Sequence, residues 1–404
     1  MHILTLSTIY PNERRDTEGK SVACLDRALA RQGVQSSTLV LRPWAPQWLA
    51  ERIDGWRHLA VRNRVEKLNG VTVIFAHYPH LPRHFMLDLS ARLMAARAIS
   101  LVKKHGLSFD CVHGQSIYPA ALATYLLAKR YGVPFIITLR DHLDHHAYML
   151  NQSGPGLREM FADMFRQVST VMVHGPALQK DIAAYLPQDR DIPVILAPNG
   201  VDRAGLEKIM VAMPQPNTRC SFKKIVSVGN LYRLKGIHES LRALKLIDER
   251  GCKDWRYTVV GDGPYRQELE NLAAELRLND RVRFTGRLSH FETMREIREA
   301  DIFSLPSWME SFGNVYAEAA VCGKPVIGCR GMGAEVTVRH GETGLLVPPK
   351  DVDELARCLE YLLSHPEEAA AMGRRGREHI RQFTWEKTAA LYQQVMERSL
   401  SSFK

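Results

Sequence analysis

Two acids and one cation stand out as residues whose types and surroundings fit chemistry on a charged ligand: Glu310, Glu318 and Lys235. The acids bound the stretch Glu310-Ser311-Phe312-Gly313-Asn314-Val315-Tyr316-Ala317-Glu318, which follows an apolar run at Ile302–Leu305. Gly313 lets the backbone come close to a ligand, and Asn314 to Ala320 read as the first turns of a helix whose leading N–H groups form an anion site. The glutamates are eight residues apart, so both can face one ligand only if Glu310 lies in the loop and Glu318 on the helix. That geometry grips two ends of an extended molecule. It fits poorly with a hydrolytic pair, whose carboxyls lie roughly 5–9.5 Å apart around one bond. Taken alone, Glu-x7-Glu reads more readily as a solvated loop acid at Glu310 and a helix surface residue at Glu318.

The neighbouring loops shift that balance. Val226-Ser-Val-Gly229-Asn230-Leu-Tyr-Arg233-Leu-Lys235-Gly236 ends a strand on a glycine and places two cations just before a helix. Cations there suit a diphosphate, each charge-assisted hydrogen bond contributing about 1.5–3 kcal/mol. Val260-Gly261-Asp-Gly263, Phe284-Thr-Gly286-Arg287-Leu288 and Gly331-Met-Gly333-Ala-Glu335 each follow a predicted strand as well. Ligands of open α/β sheets bind beyond the carboxyl ends of the strands, where all these loops would lie.

The strands that must position them recur along the chain. His2–Leu6, Ser37–Leu41, Thr72–Ala76, Cys111–His113, Phe135–Leu139, Thr170–Val173 and Ile195–Ala197 form one predicted series. Lys224–Val228, Tyr257–Val260, Val282–Thr285, Ile302–Leu305, Pro325–Ile327 and Gly344–Val347 form a second. Alternation of short β-branched runs with longer helical patterns is the mark of parallel sheets covered by helices. The chain has 404 residues, 45% of them hydrophobic and 24% charged, which fits two cores better than one. Residues 1–205 are expected to form one α/β domain, 206–222 a linker rich in proline, 223–380 the second domain and 381–404 a closing segment. Within that segment Trp385–Leu400 is amphipathic, with Thr384 a suitable N-cap, and its Ala389, Leu391, Tyr392 and Val395 need a surface to cover.

The formal charge is +10, from 54 Lys and Arg against 44 Asp and Glu. Residues 1–200 hold 23 basic and 16 acidic side chains, and the remainder hold 31 and 28, so most of the excess lies in the first half. An anionic partner follows, of a kind the charge alone does not name. The seven cysteines are scattered without metal-ligand or disulfide-framework spacing and read as small buried hydrophobes in a reducing compartment. The opening residues lack the pattern of a signal peptide and no stretch has roughly 18 uninterrupted apolar residues, so a cytoplasmic location is expected.

Taken together, several phrases resemble the retaining glycosyltransferases of family 4. They are Ala197-Pro-Asn199-Gly200-Val201-Asp202, Lys235-Gly236, Glu310 to Glu318, Cys322-Gly323-Lys-Pro325-Val326-Ile327 and Phe383-Thr-Trp385. The resemblance implies an α/β fold of the GT-B type: two Rossmann-like doubly wound domains facing a central cleft, with a C-terminal helix crossing back to the first. It implies transfer of a hexose-type sugar from a nucleoside diphosphate, UDP before GDP, to a hydroxyl of a saccharide or lipid-linked acceptor. The setting would be cell-surface polysaccharide or glycolipid synthesis, with no metal or cofactor and no nucleic acid partner. It also implies that Glu310 meets the donor sugar, Glu318 the ribose and Lys235 the diphosphate. Amides around Ser311, Phe312, Gly313, Asn314 and Val315 would contact sugar and phosphates, Arg287 and Leu288 would flank the base, and the loop at Gly19 would approach from the first domain. Asn230 stands where the family often has Arg, and Arg233 offers a cation from the same loop. In the first domain, Arg140 occupies the place of the family's usual His, with His142 close behind, and either could serve the catalytic site.

Other readings have support of their own. Asp141-His142-Leu-Asp144-His145-His146 is rich in ligand types but reads as a polar rim, since no second ligand set accompanies it. Gly261-Asp-Gly263 lacks the third glycine of a dinucleotide loop, which argues against a dehydrogenase. Arg52, Arg57, Arg62, Arg64 and Lys67, and the basic residues along the helical pattern Phe85–Val102, either solvate a surface or rest on an anionic bilayer, making the protein peripheral at the inner face of a membrane. The rival functions are a sugar-nucleotide epimerase on the same fold and a non-catalytic polyanion-binding protein.

Overall fold

The β-branched runs become strands because each can bury both faces under helices. In the computed structural model, residues 1–11, 19–44, 48, 52, 63–68, 70–79, 87–140, 155–213 and 221–403 are described. The first half contains β1 (His2–Ser7), α1 (Lys20–Arg31), β2 (Gln35–Pro43), β3 (Arg64–Leu68), β4 (Val71–Tyr78), α2 (Leu87–His105), β5 (Cys111–Gln115), α3 (Leu122–Tyr131), β6 (Phe135–Leu139), α4 (Pro155–Gln167), β7 (Thr170–Val173), α5 (Pro176–Ala183) and β8 (Val194–Leu196). The second half runs α6 (Arg203–Val211), β9 (Lys223–Val228), α7 (Ile237–Glu249), β10 (Trp255–Val260), α8 (Arg266–Glu275), β11 (Val282–Gly286), α9 (His290–Glu299), β12 (Ile302–Ser304), α10 (Asn314–Val321), β13 (Val326–Cys329), α11 (Ala334–Thr337), β14 (Gly344–Val347), α12 (Val352–Ser364) and α13 (Pro366–His379). The last helix is α14 (Trp385–Phe403).

Two compact units result. One comprises residues 1–174, 178–200 and 385–404, and the other 175–177 and 201–384. The first unit's sheet has the order β3-β4-β2-β1-β5-β6-β7-β8 and the second unit's β11-β10-β9-β12-β13-β14. All pairings are parallel except β3 with β4. Both units are Rossmann-like, and each sheet reverses its strand order once: between β1 and β5, and between β9 and β12. Such a switch point leaves adjacent loops diverging at the carboxyl edge, which opens room for a ligand.

The two faces of the first sheet follow the period of two. Leu4 and Leu6 pack with α2, α3 and α4 side chains such as Met94, Leu127 and Phe165. Ile3, Cys111, Ile136 and Met172 pack with Leu25 of α1 and with Ala389, Tyr392 and Met396 of α14. The closing helix thus finds its apolar surface within the first unit, where Tyr392 also shares a 3.0 Å hydrogen bond with Thr138 of β6. The six described cysteines are all free thiols. Among the described residues, no helix is long and apolar enough to cross a membrane.

One expectation is corrected. Residues 206–222 are not simply a linker: α6 is capped by Asp202, which accepts from the Gly205 amide at 3.1 Å, and Leu206 and Met213 enter the second unit's core. Leu206, Ile209, Met210 and Met213 follow helical spacing, a signal masked by the prolines after them. The chain therefore leaves the first unit at Gly200, not near 205. The basic stretch near Arg64 contains the edge strand β3, and Arg64 bonds Glu66 and stacks 4.2 Å from the Phe75 ring. Part of that stretch is engaged within the fold instead of free for a membrane. Arg57, Arg62 and Arg83 lie outside the described residues.

Gly200 marks the crossing of two chain segments. A Cβ there would meet the Trp385 backbone N at 2.3 Å and Cα at 2.5 Å. We expect Gly200→Ala to destabilise the first unit by about 1–3 kcal/mol, the usual scale of overpacking. Urea denaturation followed by intrinsic fluorescence will measure this, and an unshifted midpoint would show that the crossing has slack.

Candidate functional site

In the second unit the loops after β9 and β12 meet at the switch point. The amide of Trp308 donates to the Leu234 carbonyl at 3.1 Å, and the Ser307 hydroxyl donates to the same oxygen at 3.3 Å. This clasp sets Lys235, at the end of the 3-10 turn Arg233–Lys235, opposite Glu310. Lys235 Nζ donates to Glu310 Oε2 at 2.6 Å, with the side chains only 18% and 16% exposed. The low exposure decides the character of the pair, since shielding from water strengthens it and makes loss of either partner costly. An ammonium has three protons, so Lys235 can keep Glu310 while donating to an anion.

Gly313 turns the chain from Glu310 into α10. Its φ of 72° is left-handed, and a Cβ would lie 2.4 Å from the Tyr316 ring and 3.0 Å from Glu310 Cγ. No side chain caps the start of α10, so its first amides suit an anion. Phe312 is core, 2% exposed, and Val315 packs against the same cluster, so at these positions it is the backbone that can serve a ligand. Ser311 is half-buried and Asn314 exposed. Tyr316 anchors the helix by donating to the Leu305 carbonyl at 2.8 Å.

Glu318 lies on the second turn of α10, and its Oε1 is 3.2 Å from His290 Nε2. Sequence reasoning missed His290. Its signal was the capping box Ser289-x-x-Glu292, which fixes the helix start at that histidine. Arg287 is exposed just before, and Leu288 packs against the core. Asn230 and Arg233 are exposed beside the β9 loop, Asn230 accepting from the Tyr232 amide at 2.8 Å. The structure therefore brings Lys235 to Glu310, and leaves Glu318 paired with a residue from another strand loop.

The first unit holds a separate polar cluster at its own strand ends. Gly19 precedes α1 with φ 72°, its Cα so close to Tyr10 that a Cβ would sit 2.6 Å from the Tyr10 amide nitrogen. Arg140 follows β6, is 8% exposed, and donates to Gln115 Oε1 at 2.5 Å and Ser21 Oγ at 2.9 Å. His142, with the rest of 141–154 and Glu18, lies outside the described residues. Around Arg140 are buried groups the sequence did not flag. His174 Nδ1 is 2.7 Å from the Ala197 carbonyl, and Asp26 accepts from Thr38 at 2.6 Å. His113, read in the sequence only as the end of a strand, is 2.7 Å from Thr138 Oγ1. Burial, reinforced by the Arg140 charge, pushes both His113 and His174 down to about 3. Burial pushes Asp26 up to about 6 against the pull of its hydrogen bonds to Thr38 and Tyr10.

These shifts have a definite sign. The unfolded histidines protonate near pH 6.5 while the folded ones stay neutral, so their stabilisation is full above 6.5 and is lost as pH falls toward 3. Each histidine contributes a slope of up to about 1.4 kcal/mol per pH unit. Asp26 acts oppositely between its ordinary 3.8 and about 6, offsetting roughly one histidine. We expect the melting temperature to fall from pH 6.5 to 4.5 and the His113→Asn, His174→Asn double variant to flatten that slope in calorimetry. An equal slope in the variant would assign the acid sensitivity elsewhere.

Comparison with known proteins gives this geometry a context. Residues 19–204 match the family model for Glycosyltransferase Family 4, and residues 212–379 that for Glycosyl transferases group 1. The chain is 37% identical over 341 residues to a D-inositol 3-phosphate glycosyltransferase of Corynebacterium efficiens, covering 80% of this chain and 78% of that one. It is 33% identical over 180 residues to a GDP-mannose-dependent alpha-(1-6)-phosphatidylinositol monomannoside mannosyltransferase of Mycolicibacterium smegmatis, a match spanning 41% of this chain and less than half, 47%, of the relative. Anabaena Alr3699/HepE, solved with UDP-glucose, shares the fold over the whole of both chains at a TM-score of 0.66 and 19% identity.

Proposed function

This chain belongs to the family 4 glycosyltransferases of GT-B fold, and on that premise we propose that it moves a hexose-type sugar, with retention, from a nucleoside diphosphate to a hydroxyl of a saccharide or lipid-linked acceptor. The observation that carries this reading is the shielded Lys235–Glu310 pair at the β9/β12 switch point, beside an uncapped helix start. A cation and helix amides suit the diphosphate, and a carboxylate held at one oxygen can take sugar hydroxyls with the other. Glu318 takes the ribose, Arg287 and Leu288 flank the base, and Asn230 and Arg233 border the phosphates. Within the first unit, we assign a donor contact to Gly19 and a catalytic role to Arg140 or His142.

Departure of the diphosphate builds negative charge on its oxygens and positive charge on the sugar ring. Lys235, with Arg233 and the α10 amides, stabilises the first, so catalysis is electrostatic preorganisation that fixed protein cations supply without a metal. The acceptor attacks the face the diphosphate leaves, a leaving-group oxygen receiving its proton, and the anomeric configuration is kept. A fold neighbour binding UDP-glucose supports UDP, while the mannosyltransferase relative named for GDP-mannose makes GDP the competitor. The basic surplus of residues 1–200 supports an anionic acceptor, as in a phosphorylated or lipid-linked glycan precursor at the inner membrane face.

We expect Glu310→Ala and Lys235→Ala each to lower kcat/KM about 100- to 1000-fold while the circular dichroism spectrum is retained. Thermal shift against UDP-, GDP- and ADP-sugars identifies the donor, since only a ligand of the native state raises the melting temperature. Unchanged transfer in both variants would remove the residues from the site, and no shift with any sugar nucleotide would sink the donor reading.

A further inference from the structure

Glu318 is a carboxylate half engaged by protein. His290 holds Oε1 at 3.2 Å, and among the described residues no partner meets Oε2. His290 is itself fixed. It is the first residue of α9, whose start is closed from both sides: Ser289 Oγ accepts from the Glu292 amide at 3.2 Å, and the Ser289 amide donates to Glu292 Oε2 at 2.9 Å. Glu318 is fixed from the other side, because Tyr316 and Ala317 of the same helix are buried in the core. Two rigid elements from different strand loops therefore present one imidazole to one carboxylate. The histidine is 30% and the glutamate 19% exposed, so the pair stands at the edge of solvent where a ligand can reach it.

We propose that His290 is the positioning residue that makes Glu318 selective for a ribonucleotide. A carboxylate free to rotate can accept one hydroxyl in many ways. Held by a donor on Oε1, it presents Oε2 in a single orientation, in which two adjacent hydroxyls of a ribose can be accepted together; a deoxyribose has only one to offer. A site built to hydrogen-bond a hydroxyl rejects the analogue lacking it, because a desolvated polar group is left unpaired. His290 touches no reacting atom in this scheme, so it sets donor affinity and ribose selection, not the transfer step. The imidazole Nε2–H donates to Glu318. The inference rests on the reading of Glu318 as the ribose acceptor and deepens it.

Titration calorimetry with the full chain tests this with four probes: UDP, 2′-deoxy-UDP, GDP and 2′-deoxy-GDP. The wild type is expected to bind the ribonucleotide of its preferred base about tenfold or more tightly than the deoxy form. His290→Ala should reduce that ratio toward one, with the donor KM raised and kcat nearly unchanged, and His290→Gln, which retains an N–H donor, should restore part of it. Glu318→Ala separates the two readings. If Glu318→Ala collapses the ratio and His290→Ala leaves it intact, the His290 inference fails while the ribose reading stands. If neither variant changes it, the ribose reading fails as well. A fall in kcat equal to the fall in kcat/KM for His290→Ala would also overturn the positioning role, since that pattern marks an interaction made only in the transition state.

Discussion

Lys235 and Glu310 attract one another across two loops that share no sequence neighbourhood, and that attraction organises the second unit's carboxyl edge. The pair is 2.6 Å long and mostly shielded from water. Losing either partner would leave the other charge with little hydration and no counter-charge, which is costly. Each residue therefore requires the other, and the loop clasp through Leu234, Ser307 and Trp308 holds the backbones that carry them. The strand order makes this meeting unavoidable: β9 and β12 are neighbours in the sheet although β10 and β11 intervene in the chain. A fixed cation beside uncapped helix amides is then a consequence of topology.

The first unit solves a different problem. Its polar cluster is buried among neutral imidazoles, hydroxyls and an amide, so Arg140 is held by the hydrogen bonds it donates to Gln115 and Ser21, with the buried Asp26 as a nearby charge. A guanidinium keeps its charge when buried, whereas His113 and His174 surrender theirs. Burial, reinforced by this permanent cation, keeps the two imidazoles neutral. The closing helix ties into the same cluster, since Tyr392 meets Thr138, which in turn meets His113. Packing of α14 and the state of the polar cluster are parts of one network.

Much of the architecture was legible because parallel strands, buried on both faces, must be written as continuous apolar runs, and thirteen such runs became strands within a few residues of their expected bounds. The strand that escaped notice, Arg64–Leu68, is an antiparallel edge with alternating polar residues, where burial imposes little on the sequence. Helix α6 was obscured by prolines that follow it, although its apolar spacing was present. Of the site, the loop glycines, Lys235, Glu310 and Glu318 could be named from residue type and position after a strand. His290 could not, because a histidine at a helix start has many uses and only contact with Glu318 selects one.

By itself, then, the sequence determined which segments form strands, that there are two series of them, and which residue types line the loops at their carboxyl ends. These are local properties: burial period, backbone tolerance at glycine, and charge. Only the tertiary structure decided that Lys235 meets Glu310, that His290 meets Glu318, that Arg140 is pinned by Gln115 and Ser21, and that the last helix packs on α1. Those pairings span from 25 to more than 300 residues of chain. They depend on strand order within a sheet, and strand order is fixed by the packing of whole elements, which no local window of sequence contains.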